Sequence, residues 1–336
     1  MLALQALYNT APQFYLISLH SARKTGAYRM NNHVNIVIFS YNRAMQLDYL
    51  IRSIDAFVKL PSYDVTVIYH CDPDHCESYA MLIQKYAGRV KFICRAPCNS
   101  FISDILPTFF RFYGNAYWYW KYEYLRKNLD NFKVLFEMFL RQSSAAFVLL
   151  FTDDAILYNT FSLSSEVMRK LRENPAQYSY TAMVGRNIVG VPDNILVEND
   201  HCSWNYYDKQ CGTHWNWVFG VDGRVYERAN LYQMVRKYLY ESAITLEAFG
   251  VKYVRRHRLF SLGMSPLTSQ VISVAINRVS TITNNYSGNI EVNFLKTKFI
   301  DGYALEYTLP AIVTQAAHFV PDQVRLKRGT EVITLL

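Results

Sequence analysis

The hydrophobic and polar positions fall into a regular rhythm over the first half of the chain and a looser one over the second. Val34-Asn35-Ile36-Val37-Ile38-Phe39-Ser40 is a β-branched run that predicts a buried parallel strand. Leu47, Leu50, Ile51, Ile54 and Phe57 then recur at three- and four-residue spacing, which predicts a helix closed by Pro61. Val65 to Tyr69 predicts a second strand ending at His70-Cys71-Asp72. Glu77 to Tyr86 predicts a second helix, and Val90 to Cys94 a third strand. Phe132 to Leu140 reads as a helix. Ala146-Phe147-Val148-Leu149-Leu150-Phe151 is the most apolar strand candidate, and it stops abruptly at Thr152-Asp153-Asp154-Ala155. Strands alternating with helices imply right-handed crossovers and a mostly parallel α/β sheet flanked by helices.

Beyond residue 160 the alternation fades. Ser164 to Glu173 predicts a helix, Tyr178 to Val184 a strand, and Asp193 to Gly212 a loop-like section. Helices follow from Ala229 to Tyr240 and from Ser242, and Tyr286 to Ile300 reads as partly extended. The stretch from Phe101 to Tyr124 is aromatic-rich and fits neither period. No repeat, low-complexity segment or Pro/Gly/Ser linker breaks the chain. The expected organisation is an N-terminal extension over 1–29, a first half over 30–160 and a second half of the same body over 161–336.

Composition changes this picture in a few places. The 336 residues carry a formal charge of +8, which suits an anionic ligand or surface. The basic residues are scattered, with only short runs such as Arg255-Arg256-His257-Arg258, and no nucleic-acid motif accompanies them. Nucleic acid is therefore not the expected partner, while peripheral contact with an acidic membrane surface remains compatible with the charge. No apolar run reaches the roughly 18 residues of a membrane span. Six cysteines, at 71, 76, 94, 98, 202 and 211, lack the CxxC pairs of a zinc ribbon. They read as buried reduced thiols, and the expected location is cytoplasmic.

The candidate chemistry sits at Asp153-Asp154. Two adjacent carboxylates at the mouth of a buried strand repel each other unless positive charge lies close by. Ligands of parallel α/β sheets bind outside the carboxyl ends of the strands. Magnesium and manganese prefer oxygen ligands and bridge one or two carboxylates to substrate phosphates. The bland alternative has Asp153 capping a turn and Asp154 solvated.

Several stretches resemble the family 2-type glycosyltransferases of the GT-A, Rossmann-like fold. Ile38-Phe39-Ser40-Tyr41-Asn42-Arg43 is similar to their first strand and loop, and Phe151-Thr152-Asp153-Asp154 to their Asp-x-Asp metal motif, with Thr152 in place of the first Asp. Val221-Asp222-Gly223-Arg224-Val225-Tyr226 resembles the Asp-Gly-His-Ile-Phe-type segment of a bacterial and viral subset. Thr245-Leu246-Glu247 resembles an Asn-Thr-Leu-Glu ending, and Ala275-Ile276-Asn277-Arg278-Val279 a Pro-Leu-Asn-Arg-Val segment. The departures fall at Arg224, Ile244 and Ala275.

The resemblance implies an inverting transfer from a nucleotide-sugar donor (UDP- or similar) to a glycan or other hydroxyl acceptor, with Mn2+ or Mg2+ as cofactor. It implies Ser40, Tyr41, Asn42, Arg43, Asp72 and Asp153 at the donor, and Asp154 on the metal with His318 as a further candidate. Glu247 is then the expected general base and Asp222 its rival. Asp72 also suits a helix N-cap. Arg43 and Arg186 suit phosphate oxygens. Trp204, Trp215 and Trp217 suit a sugar face or a core, with Trp215 and Trp217 the candidates for an acceptor. Two rival readings stay open. One is a metal-dependent nucleotidyl or phosphoryl transferase, although no Gly-rich phosphate loop is present. The other is a carbohydrate-binding protein that keeps the fold without turnover.

Overall fold

The computed structural model describes residues 32–95, 131–208, 214–238, 240–279, 287–310, 313–316 and 319–335. Residues 32–336 cluster as one compact unit. Its centre is a nine-stranded sheet in the order β3-β2-β1-β4-β9-β6-β10-β8-β7. The strands are β1 (Val34–Tyr41), β2 (Tyr63–His70), β3 (Val90–Cys94), β4 (Phe147–Thr152), β6 (Tyr178–Thr181), β7 (Leu196–Val197), β8 (His201–Asn205), β9 (Arg224–Glu227) and β10 (Leu262–Pro266). β3, β2, β1, β4, β6, β10 and β7 run one way, and β9 and β8 the other. The chain is thus an α/β protein with a large, mainly parallel sheet flanked by helices.

The first half follows the hydrophobic pattern closely. β1 and β4 are buried along almost their whole length, as a central parallel strand covered on both faces requires. Helix α1 (Ala44–Phe57) buries Leu47, Leu50, Ile51 and Ile54 against the sheet. Helices α2 (Cys76–Lys85) and α3 (Phe132–Gln142) occupy the expected places. The order of β2, β1 and β4 matters most for function. The chain leaves β1 toward β2 on one side and returns to β4 on the other, so a crevice opens at the carboxyl ends of β1 and β4, where Phe39 pairs with Thr152.

The second half departs from the pattern. The section expected as a loop over 193–212 contains β7 and β8. In β8, His201 and Ser203 are buried alongside Cys202 and Trp204, so no polar face marks the strand. The helix expected over 229–240 is the shorter α5 (Arg228–Val235). Lys133 Nζ from α3 takes the carbonyls of Val235 and Tyr238 at 3.1 and 2.9 Å, which stops the helix there. Residues expected to be partly extended form helix α7 (Val292–Ile300), anchored by Leu295 and Phe299 one turn apart. Between these lie α4 (Ser165–Glu173) and α6 (Ala243–His257). Among the described residues there are also two small sheets: β5 (Ala155–Leu157) with β11 (Val271–Ser273), and β12 (Ala304–Thr308), β13 (Gln323–Arg328) and β14 (Glu331–Thr334). The expectation of buried thiols holds for Cys202, whereas Cys76 and Cys94 are exposed and Cys71 half-buried. Their places on strand and helix ends put them at the sheet's rim rather than in its core. The 1–29 extension, the 101–124 stretch, Cys98, Cys211 and His318 lie outside the described residues. No helix among those described is long and apolar enough to cross a membrane.

Candidate functional site

The crevice is built from the end of β1. Ser40 Oγ and the Tyr41 N–H both donate to Asp153 Oδ2 at 2.9 Å. Asn42 adopts a left-handed backbone (φ 55), which Asn tolerates better than most residues. A reciprocal latch holds it there: Asn42 Nδ2 donates to Asp72 Oδ2 at 2.7 Å, and the Asp72 N–H donates to Asn42 Oδ1 at 2.9 Å. Tyr41 stacks on His70 with centroids 5.5 Å apart, and its hydroxyl donates to Asp72 Oδ2 at 3.1 Å. Asp72 precedes a 3-10 turn but its carboxylate makes no cap bond. It serves the β1 loop instead.

This bend turns Arg43 inward. Its buried guanidinium donates from Nη1 to Asp153 Oδ1 at 3.1 Å and Asp154 Oδ2 at 3.0 Å, and from Nη2 to the Asn277 carbonyl at 2.7 Å. The positive charge that two neighbouring carboxylates require is therefore supplied by the protein itself. Burial opposes the guanidinium charge, but Asp154 and Asp153 hold the group above its ordinary value. Burial pushes Asp153 up to about 6 against the pull of Arg43. The Asp154 side chain keeps 19% of its surface exposed and is the open member of the pair.

The second half delivers two more carboxyls. Because β9 runs antiparallel to β4, its start lies beside the end of β4, with Leu150 opposite Arg224. The preceding Asp222-Gly223 turn, with Gly223 at φ +58, thereby reaches Thr152. Asp222 Oδ1 accepts from the Thr152 N–H at 2.7 Å and lies 2.5 Å from Thr152 Oγ1, which is also 2.6 Å from Asp154 Oδ1. One hydroxyl hydrogen cannot serve both carboxylates at once. Burial, then the charges of Asp154 and Glu247, push Asp222 up to about 8.

Glu247 continues the buried stripe of α6, three, four and seven residues before Gly250, Val251 and Val254. It therefore faces the body of the protein. Gly250 permits the approach, since a Cβ there would stand 2.3 Å from the Phe219 ring. The 215–220 segment can then lie against the helix, and Trp217 Nε1 donates to Glu247 Oε1. Arg224, buried below, donates from Nη1 to Tyr206 OH at 2.6 Å and from Nη2 to the Trp217 carbonyl. Burial pushes Glu247 up to about 6, against the indole bond and the Arg224 charge.

The structure thus gathers Ser40, Tyr41, Asn42, Arg43, Asp72, Asp153, Asp154, Asp222 and Glu247 around one crevice. Trp217 is 42% exposed at its edge. Trp215 is corrected: its ring is fully buried and meets Trp204 edge-on at 4.8 Å, with its carbonyl accepting from Trp204 Nε1. Both rings belong to the core and offer no face to a ligand. Arg186 is exposed and, among the described residues, makes no hydrogen bond or ion pair to these carboxyls. Three supporting residues escaped the sequence reading. Tyr79 OH meets Ser40 Oγ at 2.6 Å, Asn277 holds both Arg43 and Gln46, and Arg224 steadies Trp217. Asn277 and Arg224 lie inside the resembling segments, which was the one available signal; Tyr79 looked like any buried helix aromatic.

A divalent cation suits this set. Four carboxyls face two guanidiniums, Arg43 and Arg224, so the cluster is rich in negative charge, and its ligands are the oxygens that Mg2+ and Mn2+ prefer. Among the described residues no group of three or more His, Cys, Asp or Glu is placed to hold a metal ion by itself. An ion shared with substrate phosphates does not need one.

No protein-family model and no curated protein matches the chain. Among solved structures it is similar to residues 1–349 of S. aureus TarS, at 14% identity and TM-score 0.39, over 70% of this chain and 58% of that one. The same fragment in complex with UDP-GlcNAc aligns at 12% identity and TM-score 0.44, over 75% and 61%. The 4-diphosphocytidyl-2C-methyl-D-erythritol synthase of Anaerococcus prevotii aligns at 10% identity and TM-score 0.34, over 80% and 96%. The chain spans about three-fifths of the TarS fragment it matches. Likeness at this level says nothing of substrate, so function is read from the site itself.

Proposed function

We propose that the chain is a metal-dependent, inverting glycosyltransferase of GT-A type that moves a sugar from a nucleotide-sugar donor to a glycan or other hydroxyl acceptor. One observation carries this reading: four carboxyls converge at the carboxyl ends of β1 and β4, and only part of their oxygens are taken by the protein. The Tyr41–His70 stack and Asp72 suit a nucleoside, by ring contact and by hydrogen bonds to base or ribose. Asp153, fixed by Ser40, Tyr41 and Arg43, supports the wall of the donor site. Asp154, the more exposed of the pair on β4, would hold Mn2+ or Mg2+, which would neutralise the departing nucleotide diphosphate.

Glu247 serves as general base. Among the described residues nothing bonds its Oε2, and Oε1 is aimed by the Trp217 indole. A carboxyl near 6 is ionised at neutral pH and close enough to it to accept a proton from an acceptor hydroxyl. Asp222, at about 8, holds its proton at that pH and suits hydrogen-bond donation better than proton abstraction. The exposed face of Trp217 lies beside the base and suits the apolar face of an acceptor sugar.

A thermal-shift panel of nucleotide diphosphates and nucleotide sugars, with and without Mn2+, tests the reading, because a ligand of the native state raises the melting temperature by mass action. One nucleotide series should raise it, and more so with the metal. Asp154→Ala should lose the metal-dependent part, by at least about a hundredfold in nucleotide affinity, while the unliganded melting temperature stays in place. Equal calorimetric affinity in wild type and variant would remove Asp154 from the metal. Pyrophosphate release from a nucleoside triphosphate, without sugar transfer from any donor, would turn the reading to nucleotidyl transfer.

A further inference from the structure

Two cysteines bracket the turn that carries Asp72. Cys71 follows the last residue of β2, and Cys76 opens α2. Their sulfurs lie 3.7 Å apart, and Cys76 Sγ is 3.6 Å from the Asp72 carbonyl, toward which it donates. Cys71 is half-buried and Cys76 exposed. Asp72, between them, is the residue that latches Asn42 in its left-handed conformation.

We propose that Cys71 and Cys76 are a reversible dithiol–disulfide site for small disulfide oxidants such as oxidised glutathione, and that closing it loosens the Asp72–Asn42 latch. Cys76 reacts first because solvent reaches it. Its thiolate attacks one sulfur of glutathione disulfide, forming a mixed disulfide and expelling one glutathione thiolate, which takes up the proton Cys76 gave off. The Cys71 thiolate then attacks the Cys76 sulfur and expels the second glutathione, which takes up the proton from Cys71. Two protein thiols lose two electrons and two protons in all, and one glutathione disulfide becomes two thiols.

The bond draws the sulfurs from 3.7 Å to about 2.05 Å, and the four residues between them must follow. The Asp72 N–H and carboxylate are the groups in that span that reach across to β1. Burial and the neighbouring Cys76 thiol push Cys71 up to about 12, so Cys71 serves as the resolving partner rather than the first attacker. Cys94, at the end of β3, is the competing thiol that Cys71 feels. This inference rests on the β2–α2 turn alone and does not depend on the donor reading.

Trypsin separates the possibilities. Leu60–Lys85 contains Cys71 and Cys76 and no other cysteine, whereas Cys94 falls in Phe92–Arg95. The full chain, equilibrated in oxidised glutathione, alkylated and digested, should show Leu60–Lys85 lighter by two hydrogens and closed to alkylation. Dithiothreitol should restore it. Hydrogen exchange at the Asp72 amide should quicken several-fold on oxidation, and Cys76→Ser should abolish both changes. A fully alkylated Leu60–Lys85, a glutathione that stays on Cys76, a cross-link to Phe92–Arg95, or closure with unchanged exchange would each overturn the proposal.

Discussion

Asp153, at the end of β4, has both carboxylate oxygens engaged, by Ser40, Tyr41 and Arg43, and its neighbour Asp154 accepts from Arg43 at Oδ2 while its Oδ1 shares the Thr152 hydroxyl with Asp222. Asp222 and Glu247, brought in by β9 and α6, each have one oxygen engaged, and among the described residues nothing bonds Asp222 Oδ2 or Glu247 Oε2. The first pair shares a guanidinium within 3.1 Å. Near the second, Arg224 gives its bonds to Tyr206 and Trp217 instead. One region is therefore a wall braced by a shared guanidinium and the other is left less engaged, and Thr152 joins them. The proposed transfer, which holds an anionic donor and also abstracts a proton, would use both kinds of carboxylate, and neighbouring elements of the fold supply them by different means.

The sharpest way to break the contrast is Glu247→Gln. The amide keeps the size and can still accept from Trp217, but it cannot take a proton. Turnover should fall by about 10²–10⁴-fold, with nucleotide affinity unchanged by calorimetry. In the wild type, kcat/KM should rise with pH through about 6, because the base works only when ionised and its carboxyl is held above the ordinary value of 4.5. The variant should lack that limb. Near wild-type turnover would transfer the role to Asp222.

Arg43→Met probes the wall. It preserves much of the side-chain volume and leaves Asp153 buried without its cation, which should cost about 3–5 kcal/mol in urea denaturation at neutral pH. Asp153 already titrates above its unfolded value of 3.8, and without Arg43 it rises further. Protonation relieves the unpaired charge, so the deficit should shrink as the pH falls toward mildly acidic values. A loss that ignores pH would mean that the Asn277 bond and packing matter more than the charge.

These two regions also differ in how plainly the sequence announces them. The wall is legible because its residues sit at the ends of uninterrupted apolar strands, where the abrupt polar stop at Thr152-Asp153-Asp154 cannot be packing. The role of Arg43 as their counter-ion is less so. Spacing places it after β1, but only the left-handed turn at Asn42 aims it back across the sheet. The second region hides behind long-range pairing. Asp222 reaches Thr152 because β9 runs antiparallel to β4, and no local period encodes that direction. Trp215 and Trp217 look equivalent in sequence, yet one fills the space against Trp204 and the other stays at the rim. Burial of a whole aromatic face is decided by partners far along the chain, so the two could not be told apart by spacing.

Trp217→Phe is the finest test, because it leaves an aromatic ring at the rim and removes the N–H that donates to Glu247. The indole N–H stabilises the ionised form of Glu247, so its loss should raise the carboxyl and move the acidic limb of kcat/KM upward, by less than about one pH unit given that water can replace the donor at an open rim. Above the shifted limb, turnover should stay within roughly tenfold of wild type, since the base itself is intact. Arg224→Lys should produce a shift in the same direction, by releasing the Trp217 carbonyl and with it the aim of the indole. A Trp217→Phe enzyme that loses acceptor affinity but keeps its pH profile would instead assign the ring to the acceptor alone, and Glu247 would then owe its orientation to the α6 stripe and the close approach at Gly250.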